Sequence, residues 1–407
     1  MSLTAQTQTG AALSVATDRA TLLDALATVG LAVTGRPVLP TLAGVLLEAS
    51  SGDLTVSATD YDTAVTVRLP GATAGAGRLL VEHGELSRLL DALTKGTRKR
   101  DADRAPVTIS AEDPTAPVLG LGGYTVPLET LPVADYPPLP AVPPSVARVD
   151  RAAFTAQAGR VLVAVETGTG ALPMLAGVRL DVTDGALTLA GTDRYRLAVA
   201  RLAAVTGVQA GSFGAVVAGR LLAGLCKRLT GETVRIGLDT TDATGFPRVS
   251  FTCGPVTVVT RSATADYPPY ATLLPAESSG TVVVDRARLL TDTRRAAAVL
   301  AAKAVRGGSV RLSIGPDTVS VAPALAERAE QVSAPAVPAE VDRSGDPVGY
   351  LFAPAYLIEA LESFTADTVT VHLTAGVSTP VLFTDTRAGL RDRSAFRHLL
   401  MPRRSGD

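Results

Sequence analysis

The residues best equipped for chemistry in this chain are few and scattered. A histidine works as a base or a metal ligand when a second reactive group is held beside it. His83, His372 and His398 stand far apart in no such motif, so each reads as a surface or strand-packing residue. Cys226 and Cys253 are too few for a disulfide framework and lack metal-ligand spacing, which fits a reducing compartment. The sequence has no Gly-x-x-x-x-Gly-Lys phosphate loop, Gly-x-Ser-x-Gly elbow or His-Glu-x-x-His pair. Gly168-Thr169-Gly170 is a fragment of a glycine pattern without the strand–loop–helix context, and reads as a flexible loop. Asp60 and Asp193 each follow a threonine, 133 positions apart, in one repeated setting. A catalytic site is normally built once, so a recurring carboxylate points to a turn or cap. The expectation is no enzyme, no metal and no cofactor.

What recurs is instead the frame. Ala134-Asp135-Tyr136-Pro137-Pro138 returns unchanged as Ala265-Asp266-Tyr267-Pro268-Pro269, 131 positions later. Paired prolines lack donor N–H groups and bias the preceding residue toward extended geometry, so both stretches read as connectors. Asp-Arg-Ala occurs at 18–20, 150–152 and 285–287, followed at one offset by Leu22, Phe154 and Leu289. Leu42-Ala43-Gly44-Val45 returns as Leu175-Ala176-Gly177-Val178. The chain therefore reads as three copies of one unit, at 1–133, 146–265 and 278–407, each large enough to bury a core.

Within each copy the periodicities alternate between helix and strand. Helices are expected over 19–33, 85–93, 151–164, 218–229, 286–305 and 354–363, with Asp18 capping the first. Strands are expected over 13–16, 45–49, 54–58, 64–69, 107–110 and 124–128 in the first copy. The second has them up to 149, then at 177–182, 187–192, 196–202, 234–238, 249–252 and 256–262. The third has 309–314, 318–322, 369–373, 381–383 and 398–401. Residues 1–12 read as a loose arm. Two helices and short antiparallel strands per copy make an α+β fold, with helices segregated to one face of the sheet. Net charge is −1, so the whole chain does not advertise nucleic-acid binding, although local faces can differ. The uncharged run 202–219 holds Thr206, Gln209, Ser212 and several glycines, against a spanning helix. No secretory signal is evident, and the chain reads as soluble and cytoplasmic.

Several stretches carry a resemblance. Gly191-Thr192-Asp193-Arg194-Tyr195-Arg196-Leu197-Ala198-Val199 resembles the middle-domain signature of the bacterial sliding clamp, the beta subunit of DNA polymerase III. His398-Leu399-Leu400-Met401-Pro402-Arg403-Arg404 resembles that family's C-terminus, and 262–275 its second connector. Gly35-Arg36-Pro37, Leu39-Pro40 and 42–47 look like its first domain. The resemblance runs from about residue 13 to 404.

The resemblance implies three clamp domains per chain and two chains joined head to tail in a closed ring. It implies a processivity factor that encircles double-stranded DNA without reading its sequence and tethers the replicative polymerase subunit, the clamp loader and other peptide-bearing proteins. Arg36 matches a DNA-touching position. Lys95, Arg98, Lys99, Lys227, Arg228, Arg288, Arg294 and Arg295 are DNA candidates from basic helix ends and faces, with a solvated helix face as the other reading. The peptide groove carried over is Leu175, Thr192, Arg194, Tyr195, Arg196, Leu197, Pro268, Leu273, Val377, Thr379, Leu399, Met401 and Arg403, with Tyr356 at its rim. Val299 and Leu300 would meet Val126 and Leu128 of a second chain, or all four are core. The family's tyrosine pair is replaced by Pro173 and Met174, and Thr272 and Ala353 also depart from its pattern. Two other readings stay open: a duplicate clamp that confers resistance to a clamp-directed antibiotic, and a scaffold that does not close into a ring.

Overall fold

Three aspartates start three helices. In the computed structural model, Asp18 accepts the Thr21 N–H at 2.9 Å, Asp150 that of Ala153 at 2.7 Å, and Asp285 that of Arg288 at 2.8 Å. The repeated Asp-Arg-Ala is thus an N-cap that satisfies one otherwise orphaned donor each time. The helices it opens are α1 (Arg19–Val29), and two that follow α2 (His83–Ala92) and α3 (Lys99–Asp103), namely α4 (Arg151–Leu162) and, beyond α5 (Gly219–Cys226), α6 (Arg286–Ala302). The last helix is α7 (Pro354–Glu362). Leu22, Phe154 and Leu289, which share one offset from the cap, are each fully buried. On α6 the buried Leu289, Thr293, Ala296 and Leu300 follow the helical period and form one apolar stripe.

The structure describes residues 13–404 apart from 36, 74, 114, 184, 207–212, 241–245, 265, 326–330 and 389. The expected arm over 1–12 and the DNA candidate Arg36 lie outside the described residues. The chain forms two compact units, Met1–Ser145 with Gly224–Arg261, and Val146–Ala223 with Ser262–Asp407.

The first unit has a four-stranded antiparallel sheet in the order Leu13–Asp18, Pro106–Ala111, Val118–Leu121, Tyr124–Pro127. Val107, Ile109 and Ala111 are buried while the residues between them are not, the period-two signature of a half-buried strand. Its other strands run Thr233–Asp239, Arg248–Cys253, Val256–Arg261, Thr63–Leu69, Asp53–Thr59, Gly44–Ser50, Gly77–Glu82, Thr130–Leu131. In the second unit twelve strands run from Phe213–Ala218 through Gly177–Thr183, Ala186–Thr192 and Arg196–Ala203 to Arg397–Leu400. The order continues Val381–Thr384, Thr368–Leu373, Gly280–Asp285, Ala336–Asp342, Thr318–Pro323, Val310–Ile314, Val348–Phe352.

Two pairings explain why two units arise from three sequence copies. The final strand of the second copy, Val256–Arg261, adds to Thr63–Leu69 of the first. The final strand of the third, Arg397–Leu400, adds to Arg196–Ala203 of the second. Each copy therefore completes the sheet of its predecessor, and backbone pairing divides the middle copy between the units.

The helix expected over 19–33 ends earlier, at Val29, and tightens into the 3₁₀ turn Gly30–Ala32. That expected over 286–305 ends at Ala302, because Ala304 has φ 52° and Gly307 φ 66°, outside helical geometry. Helix α3, within the basic cluster, was not expected.

Candidate functional site

The second Thr-Asp pair begins the site. It forms the turn between Ala186–Thr192 and Arg196–Ala203. The Asp193 carboxylate accepts the backbone N–H groups of Tyr195 and Arg196, both at 3.0 Å. The Thr192 hydroxyl donates to the Arg196 carbonyl at 2.7 Å and accepts the Arg194 N–H at 3.2 Å. These bonds hold Arg194 at φ 80°, a region that a side chain with Cβ seldom enters unaided. The turn lifts Arg194 and Tyr195 into solvent; Tyr195 is 55% exposed. Arg196 folds back, donating from Nε to Asp193 at 2.9 Å and pairing with Glu359 on α7. Its guanidinium lies 4.5 Å from the Tyr356 ring centroid, and Tyr356 stacks on Tyr195 at 6.2 Å. Glu359, the counter-charge of this layer, had no signal in the sequence pattern.

The C-terminal strand supplies the floor. Arg196 pairs with Leu400 and Leu197 with Leu399, while Val381 pairs with Leu400 on the other side. The Met401 N–H continues the ladder to the Tyr195 carbonyl at 2.8 Å. Leu197, Leu399, Ala190, Val199 and Leu382 form one buried cluster, against which Tyr270 and Leu274 pack. The connector is pinned to the second copy by two phenols, Tyr267 donating to the Ala190 carbonyl at 3.1 Å and Tyr270 to Asp181 at 2.8 Å. Burial pushes both phenols up in pKa, so they remain donors at any ordinary pH. Pro268 is held between them, half-buried.

Three segments thus emerge at one end of the sheet: the 192–196 turn, Met401, and the 374–380 turn that precedes Val381. Tyr195, Leu273, Val377 and Met401 are all large, apolar and 43–55% exposed. Leu175, Thr192, Leu197 and Leu399 are buried. The Thr379 hydroxyl is used inside its own turn, donating to the Gly376 carbonyl at 2.7 Å. Arg403 turns away from the sheet end: its N–H donates to the Leu351 carbonyl at 2.7 Å and its guanidinium to the Gly307 carbonyl. A separate cavity of 480 Å³ lies between the end of α4, the loop carrying Gly168-Thr169-Gly170 and the start of α5. None of the proposed groove residues lines it.

The basic candidates divide by their neighbours. Lys99 pairs with Asp103, Arg228 with Asp24 at 3.0 Å, Arg294 with Glu362 and Arg295 with Asp292 at 3.1 Å. Lys95, Arg98, Lys227 and Arg288 are exposed, with no carboxylate partner among the described residues. Of the interface candidates, Val299 is 40% exposed and Val126 lies half-buried on Tyr124–Pro127, the outer strand of its sheet. Leu128 and Leu300 are only 5% and 3% exposed, so they pack within their own chain. Among the described residues no group of three or more His, Cys, Asp or Glu side chains could hold a metal ion, and no helix is long and apolar enough to cross a membrane.

Comparisons with known proteins agree with this architecture. Profiles of the DNA polymerase III beta subunit match along the chain: the N-terminal domain at 13–140, the central domain at 148–269 and the C-terminal domain at 271–403. The beta sliding clamp of Streptomyces coelicolor is 29% identical over 96% of this chain and 99% of its own length. A Streptomyces muensis protein named beta sliding clamp homolog GriR is 26% identical, over 92% of this chain and 94% of its own. The sliding clamp structure from Bacillus subtilis superposes with a TM-score of 0.81 at 21% identity, covering 98% of this chain and all of that one. The Pseudomonas aeruginosa clamp bound to griselimycin gives 0.80 at 22% identity, covering 97% of this chain and all of that one. With all three domain profiles matched in order, the chain belongs to the DNA polymerase III beta subunit family, the beta sliding clamps.

Proposed function

We propose that this protein is a non-catalytic processivity factor of the cytoplasm. Two chains, each of three clamp domains at 1–133, 146–265 and 278–407, close head to tail around duplex DNA. A contact between different surfaces of two identical chains closes when two half-rings complete the circle. Val126 and Val299 are the interface residues that the burial pattern favours. The unpaired side of Tyr124–Pro127 is a backbone edge ready to accept another strand. Lys95, Arg98, Lys227 and Arg288 supply free positive charge for phosphates, which bind without reading bases. Arg36 joins them by family resemblance.

The observation that carries the reading is the exposed apolar pair Tyr195 and Met401, joined backbone to backbone at the end of a sheet that two repeats complete jointly, with Leu273 exposed on the connector and Val377 on the 374–380 turn. An apolar set of this kind, rimmed by Arg194 and the Tyr356 layer, fits a short peptide that lays side-chain anchors into a groove. The replicative polymerase subunit and the clamp loader are the partners that would carry such peptides. Light scattering alone and with nicked-circular or linear DNA tests the proposal. The expected result is a dimer retained on circles and lost from linear ends. A monomer, or equal retention on both DNAs, would remove the ring.

A second reading, a duplicate clamp that tolerates a groove-directed antibiotic, is favoured by the likeness to GriR and by Thr272 and Ala353 beside the groove. Calorimetric titration with griselimycin tests it against the Pseudomonas clamp. Tenfold weaker binding here supports it, and equal affinity excludes it.

A further inference from the structure

The two junctions between sequence copies are built alike, and they differ where a docked chain would lie. At the first, the Thr59 hydroxyl donates to the Thr63 carbonyl at 2.9 Å and accepts the Tyr61 N–H at 3.2 Å. Asp60 accepts the N–H groups of Asp62 at 3.1 Å and Thr63 at 2.7 Å. Tyr61 has φ 77°, matching Arg194 at φ 80°. The ladder then continues identically: the Arg261 N–H donates to the Asp62 carbonyl at 2.8 Å, as the Met401 N–H does to Tyr195 at 2.8 Å. Asp62 therefore answers to Tyr195, and Arg261 to Met401. The 131-residue connector spacing places Val142, 55% exposed, where Leu273 is 50% exposed. The first junction keeps the turn, the ladder and exposed apolar residues, with Tyr61 at 53%, Val142 at 55% and Phe246 at 38%. At the two positions equivalent to Tyr195 and Met401 it carries an ion pair, Arg261 to Asp62 at 3.2 Å.

We infer that the Asp62–Arg261 pair restricts each chain to one docking groove, closing the first junction to the apolar-anchored peptide that the second accepts. The inference rests on the reading of the second junction as a peptide groove. An apolar anchor laid over Tyr195 and Met401 removes apolar surface from water, which favours docking. The same anchor over Asp62 and Arg261 strips water from a carboxylate and a guanidinium and offers no new hydrogen bond, which opposes it. The side chains are 69% and 31% exposed, so that penalty falls at the moment of docking.

Reciprocal grafts in the full chain test this, with a fluorescein-labelled hexapeptide carrying Leu and Phe anchors as probe. Wild type should bind one peptide per chain, and Tyr195→Asp with Met401→Arg should weaken it at least tenfold. Asp62→Tyr with Arg261→Met should raise the stoichiometry to two. A graft with wild-type circular dichroism and melting that stays at one peptide overturns the inference. If that graft fails to fold, Asp62→Asn with Arg261→Gln removes the charges and keeps the shape. A photoreactive probe should then label the segment around Val142, and labelling confined to the second junction overturns the inference. Wild type that binds no probe instead removes the groove reading itself.

Discussion

At the scale of single residues, the paired turns separate structure from function. Asp60 and Asp193 do the same structural work, each accepting two backbone N–H groups of its turn. Only Asp193 also holds an arginine, and through Arg196 it fixes the Tyr356–Tyr195 layer. Replacing either aspartate with alanine removes two hydrogen bonds from a partly exposed turn, at a cost of about 0.5–1.5 kcal/mol each. The two variants should therefore melt at similarly lowered temperatures. Asp193→Ala should also weaken an apolar-anchored peptide severalfold, while Asp60→Ala leaves its affinity unchanged. Equal peptide affinities in the two variants would detach the Asp193 turn from docking.

At the scale of elements, helices and hairpins were legible because their signals are local. Asp18 as a cap, the apolar stripe of α6 and the alternation in 107–110 each lie within a few residues. The repeated Thr-Asp was legible as a turn for the same reason. Eight strands were not expected: Gly77–Glu82, Val118–Leu121, Thr130–Leu131, Val205–Thr206, Phe213–Ala218, Gly280–Asp285, Ala336–Asp342 and Val348–Phe352. Gly77–Glu82, Phe213–Ala218 and Val348–Phe352 take partners from distant segments, and Val118–Leu121 pairs with the short strands on either side of it. Ala336–Asp342 alternates exposed and covered positions but carries Pro338 inside the run. Nor does a family resemblance tell burial in the chain from burial between chains: it carries Leu300 over with Val299 as an interface residue, although Leu300 is buried within its own chain. The distinction shapes the test of dimerisation. Leu300→Glu would place a charge in the α6 core and unfold the domain, so a change in mass would mean little. Val299→Glu alters an exposed position, and surface substitutions usually shift stability by about 0.5 kcal/mol or less. It should convert the dimer to monomers with unchanged circular dichroism, measured by light scattering. A dimer of undiminished affinity would exclude this face of α6 from the interface.

At the scale of the whole molecule, the two buried histidines tie stability to pH. His372 and His398 are both fully buried, on neighbouring parts of the third copy's sheet. His372 bonds the Thr384 hydroxyl at 2.8 Å, and His398 bonds that of Ser363 at 3.0 Å; in each ring the other nitrogen has no partner among the described residues. Burial lowers His372 to about 4, and burial together with the positive Arg196 and Arg160 lowers His398 to about 3. Unfolded, both return to near 6.5. Between that value and the folded ones, the unfolded chain holds more protons than the folded chain, so stability must fall as pH falls. The contribution is complete above pH 6.5. Below it, stability is lost at about 1.4 kcal/mol per pH unit for each histidine, until His372 protonates in place near 4 and His398 near 3. Urea unfolding followed from pH 7.5 to 4.5 should show this slope, and His372→Gln should remove about half of it. A wild-type slope unchanged by that substitution would mean that carboxylates elsewhere govern acid unfolding. The buried imidazoles would then be neutral packing groups, with no part in how the clamp responds to acid.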